Sequence, residues 1–89
     1  MEQKIIDKIV EMVHELTPVP DIAFILDMSE SELREIIDDP EKPEYMIFRK
    51  AVAETIRMIR KKDIELYNAG SPTAATAVAV HLQSMLKSI

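Results

Sequence analysis

Between Pro43 and Gly70 the chain contains neither a proline nor a glycine. A stretch that long without a breaker exceeds the length of ordinary strands, so it predicts one long helix over about 43–69, with Gly70 supplying the left-handed residue that stops it. The remaining breakers cut the rest of the chain into shorter pieces. "TPVP" at 17–20 ends a first helix over 2–16 and opens a second over 20–26, because proline disfavours helical geometry in the residue before it and suits the first turn of the next helix. In "DMSESE", Ser29 is an N-cap and Glu32 completes a capping box, which starts a third helix over 30–38. "DDPEKPE" ends that helix, and Ser71 with Pro72 begins a last one over 72–88.

The apolar spacing supports these boundaries. Ile5, Ile6, Ile9, Val10, Met12, Val13 and Leu16 form a stripe at helical spacing, and Leu33, Ile36 and Ile37 give the third helix a buried side. With 47% apolar residues, 4% aromatics, a single glycine and no Trp, aliphatic packing between helices is expected rather than a sandwich of strands. The expected fold is all-α. A helix-turn-helix of three short helices (1–42) precedes a long helix and a C-terminal helix packed as an oligomerisation hairpin (43–89), within one compact domain.

"IAFILDMSESELREII" carries the helix-turn-helix signal. Ala23 permits close approach of two short helices, Leu26, Met28 and Leu33 fill the space between them, and Asp27 takes a turn position that often holds glycine, since Asp enters the left-handed region readily. The same pattern is also a compact way to pack three helices without any DNA. On the third helix only Ser31 and Arg34 face outward with ordinary DNA-contacting chemistry, among Glu30, Glu35 and Asp38.

Charge is unevenly placed. Residues 1–48 hold 13 acidic and 4 basic side chains, residues 49–89 hold 3 acidic and 7 basic, and the whole chain has a net charge of −5. At 100° per residue Arg49, Lys50, Arg57, Arg60 and Lys61 fall within an arc of about 120° on the long helix. Such a stripe can follow a phosphate backbone, and it can equally be a solvated face or pair with the acidic half. Two further sectors of that helix are apolar, one through Tyr45, Phe48, Val52, Ile56, Ile59 and Leu66, the other through Ile47, Ala51 and Met58. On the last helix Ala75, Val78, Leu82, Met85 and Ile89 make a near-heptad stripe, the expected interface of a homo-oligomer.

Several function classes lack their residues. Without Cys there is no disulfide framework or thiolate nucleophile, and one glycine cannot make a phosphate-binding loop. His14 and His81 stand alone, so no catalytic residue, metal site or cofactor is expected, and the chain does not read as an enzyme. "MEQKIIDKIVEMV" is interrupted by charge and reads as neither a signal peptide nor a membrane span, which makes a cytoplasmic protein the expectation.

Taken together, Ile22 to Ile37, Phe48 to Tyr67 and Ala69 to Leu82, with the locally distinctive "NAGSPTAA", resemble the small terminase subunits of tailed phages and prophages. The resemblance implies recognition of packaging-site DNA, assembly into a ring, and presentation of DNA to an ATP-hydrolysing large terminase subunit. It makes Ser29, Ser31 and Arg34 the DNA-facing candidates, with the stripe from Arg49 to Lys61 as auxiliary contacts. The alternatives are an oligomerisation module with a helix-turn-helix shape and no DNA binding, and a small transcriptional regulator.

Overall fold

A computed structural model describes residues 1–89 as five helices without strands. These are α1 (Gln3–His14), α2 (Val19–Ile25), α3 (Glu30–Ile37), α4 (Pro43–Asn68) and α5 (Pro72–Ser88). None is long and apolar enough to cross a membrane. The all-α expectation and the order of three short helices, a long helix and a C-terminal helix are as the breakers dictated.

Three of the four connections are closed by the same backbone device. After α1, the Thr17 N–H donates to the Met12 carbonyl at 2.9 Å and the Leu16 N–H to the Val13 carbonyl at 3.0 Å, with Leu16 at φ 64°. After α2 the Met28 N–H reaches the Ala23 carbonyl at 2.9 Å, with Asp27 at φ 58°, and after α4 the Ser71 N–H reaches the Leu66 carbonyl at 3.0 Å, with Gly70 at φ 93°. Each pattern satisfies carbonyls that the ending helix leaves free. Asp27 and Gly70 do what their chemistry suggests. Leu16 does not: the sequence placed it on the apolar stripe of α1, whereas it sits outside the helix as the left-handed residue, 65% exposed. Pro18 explains the early stop, because it pushes Thr17 out of helical geometry.

The chain forms two compact units, Met1–Thr55 and Ile56–Ile89, divided within α4. In the first, α2 and α3 pack on one another. Ile9, Met12 and Val13 of α1, Ile22 and Ala23 of α2, Leu33 and Ile37 of α3 and Ala51 of α4 make one core. Ala23 is fully enclosed, as a small residue at a helix crossing should be. Leu26 and Met28 pack against this core from the turn. Ser29 caps α3 as expected, its hydroxyl accepting the Glu32 N–H at 3.1 Å while the Glu32 carboxylate accepts the Ser29 N–H at 3.4 Å. Ala51 and Thr55 are the buried residues of α4, so its first half belongs to this core; the Thr55 hydroxyl is satisfied by the Ala51 carbonyl at 2.8 Å.

In the second unit, residues 56–68 of α4 and α5 form the hairpin. Gly70 turns the chain, and the Ser71 hydroxyl accepts the Ala74 N–H at 3.3 Å to start α5. Across the hairpin His81 Nε2 and Asp63 Oδ2 lie 2.8 Å apart. Ala74 is its only buried apolar residue.

Candidate functional site

Ser29 spends its hydroxyl as the α3 cap, and Ser31 is exposed. Arg34 lies between two carboxylates of its own helix, with Nε 3.4 Å from Glu30 Oε1 and Nη1 3.6 Å from Asp38 Oδ2. Exposed i,i+4 pairs of this kind are worth only about 0.3–0.5 kcal/mol each, so they do not lock the guanidinium. What opposes a phosphate is the sum: Glu30, Glu32, Glu35 and the C-cap Asp38 against Arg34 leave α3 with its C-cap at −3. Like charge brought to a polyanion repels it.

The long helix differs. Arg49, Lys50, Arg57, Arg60 and Lys61 are all exposed. Of these, only Lys50 has a carboxylate within 4.0 Å, that of Glu54. Arg49 and Lys50 belong to the first unit, and Arg57, Arg60 and Lys61 to the second. Within the first unit neither Arg49 nor Lys50 pairs with a carboxylate of residues 1–48. Arg49 and Lys50 also flank a shallow apolar depression lined by Met46, Ile47 and Ala53.

On α5, Ala75 and Val78 are half-buried while Leu82, Met85 and Ile89 are exposed. The Asp63–His81 contact explains the split. It turns the face through Ala74, Val78 and His81 toward α4, so the near-heptad stripe lies beside that seam and only its first residues are covered. On the facing helix Ile59, Ile64 and Leu66 remain at least 40% exposed. A two-helix hairpin with this little enclosed surface leaves its apolar side chains open to a further helix layer.

Two features escaped sequence reasoning. His81 read as solitary because its partner lies 18 residues earlier and meets it only in this hairpin register. Phe24, 83% exposed on α2, was not singled out, although an aromatic next to the closely packed Ala23 must point elsewhere. No cluster of three His, Asp or Glu side chains is placed to hold a metal, and every buried side-chain polar atom has a partner. No family model, curated protein or solved structure matches the chain.

Proposed function

We propose that this is a non-enzymatic, self-associating helix-turn-helix protein that grips DNA through its backbone, in the manner of a small terminase subunit presenting phage or prophage DNA to a large subunit. The observation that carries the reading is the contrast between the helices. α3 and its C-cap hold one arginine among four carboxylates, whereas Arg57, Arg60 and Lys61 stand exposed and pair with no carboxylate of the second unit. The phosphate contacts are therefore assigned to the α4 side, with Ser31 and Arg34 contributing little.

Three cations per subunit give weak binding. Assembly multiplies it, because a second subunit on the same duplex binds at a high effective concentration. The exposed stripe of Leu82, Met85 and Ile89 supports assembly through the hairpin.

The test is titration of duplex DNA at several salt concentrations. A slope of log affinity on log salt of about −3 per engaged subunit is expected for three phosphate contacts. Arg57→Glu with Lys61→Glu should weaken binding to all sequences alike and flatten that slope. No binding at low salt overturns the DNA reading. The second reading, an oligomerisation module that binds no DNA, is favoured by the −3 charge of α3 with its C-cap and would then stand. A transcriptional regulator instead requires a defined dimer and a preferred operator, which sequence-neutral binding excludes.

A further inference from the structure

Within the second unit, Arg57, Arg60, Lys61 and Ile64 lie inside an arc of about 100° on α4, centred roughly a quarter turn round from Asp63, which faces α5. The hairpin leaves this face uncovered, and all four side chains are exposed. Its three cations pair with no carboxylate of their unit, which holds 5 basic and 2 acidic side chains. The first unit is the reverse, with 14 acidic and 6 basic side chains. Almost all of that excess sits in one stretch. Residues 21–41, from α2 through α3 to the following turn, carry eight carboxylates against Arg34 alone. On α3, Glu35 is exposed and pairs with no cation of its unit, and its neighbour Asp38 has only the 3.6 Å contact with Arg34.

We propose that the cationic face of α4 in one copy is covered, when no DNA is present, by the α3 surface of a second copy, so that DNA must displace an acidic helix to reach Arg57, Arg60 and Lys61. This rests on the readings that the chain self-associates and binds DNA, and it adds how the same cations are regulated. Charge selects the occupant. Two first units repel one another, as do two second units, so associating copies lower their energy by setting opposite units side by side. The spacing matches as well. Arg57 has Arg60 and Lys61 three and four residues on, Glu35 has Asp38 three residues on, and helical neighbours of this kind stand about 5–6 Å apart. Exposed pairs are individually weak and screened by salt, but in an assembly the neighbour's α3 is present at a high effective concentration. A cover of that strength is one that a chain of phosphates can displace. The acidity of α3 thus has a role: it puts a surface of the sign of DNA in the place of DNA.

The test mixes equal amounts of isotopically light and heavy full-length chain and adds a carbodiimide, which joins a carboxylate to a touching amine as an amide with loss of water. Heavy–light peptides joining Lys61 to Glu30, Glu35 or Asp38 are expected. They should be lost in Arg57→Glu/Arg60→Glu, kept in Arg57→Lys, and lost on adding duplex DNA in proportion to the chain bound. Glu35→Gln with Asp38→Asn should raise DNA affinity about 5–10-fold in the assembled chain and leave it nearly unchanged in a Leu82→Glu/Met85→Glu background that cannot assemble. An equal gain in both backgrounds is plain relief of repulsion and overturns the cover. So does Lys61 joined only within light or within heavy chains, or joined to carboxylates of α1 as often as to those of α3. Any of these with DNA binding intact defeats the cover and spares the DNA reading. No DNA binding at low salt defeats the DNA reading itself and leaves the cover nothing to regulate, and a wild-type chain that is monomeric at all concentrations defeats self-association and the cover together.

Discussion

Leu16 adopts φ 64° with most of its side chain in solvent, an uncommon combination for a leucine. The left-handed region costs an ordinary L-residue about 1–2 kcal/mol, and an exposed side chain recovers little of it. Leu16→Gly is therefore expected to raise stability by about 0.5–1 kcal/mol, read as a higher urea midpoint at unchanged slope. Gly70→Ala should do the reverse by about 1 kcal/mol. A Cβ there meets nothing within 4 Å, so the cost is one of backbone conformation rather than of space. The contrast between the turns shows what the sequence could reveal at this scale. Gly70 and Asp27 have a chemistry that announces a left-handed turn, whereas nothing about leucine does, and only the strength of the Pro18 stop forces Leu16 into one.

Two helices, α3 and α5, are held at their starts by a serine hydroxyl. Ser29→Ala removes one half of the α3 capping box and should cost about 1 kcal/mol, measurable in the same titration. At the start of α4, the Glu44 carboxyl is held below its ordinary range by its backbone N–H and by the Met1 ammonium 3.3 Å away. A carboxyl lowered on folding favours the folded state while ionised and loses that benefit as pH falls through the folded value. Glu44→Gln should therefore lower stability at neutral pH, where the wild-type carboxylate is ionised, leave it unchanged at pH below the folded-state value, and so flatten the acid limb of the stability profile. The elements themselves were legible because prolines, the one glycine and Ser29 mark their ends. What was not legible is which faces meet: Asp63 and His81 pair through a hairpin register that no local pattern encodes, and the same register leaves Leu82, Met85 and Ile89 uncovered.

For the whole molecule, the two units differ in how much they enclose. The first buries Ile22 and Leu33 completely, and Leu33→Ala should cost about 2–5 kcal/mol and melt α2 and α3 together. That prediction is read by circular dichroism. The candidate site was legible as to residue type, since the basic stripe and acidic helix follow from spacing alone. Which of those charges are engaged was legible only in part: Glu30 and Asp38 flank Arg34 at four residues, but that Asp63 is engaged by His81 depends on the register of the hairpin.

The nearly coreless hairpin has a further consequence. With Ala74 as its one buried apolar residue, the second unit gains little by folding alone, and most of what it can gain comes from whatever covers it. Anything that binds only the folded form stabilises it in proportion to the logarithm of its concentration. With a second copy as the proposed cover, abundance becomes a folding variable. Dilution should open the C-terminal third of the chain to proteolysis and fast amide exchange while the first unit stays protected, so that a scarce copy is cleared and a plentiful one persists.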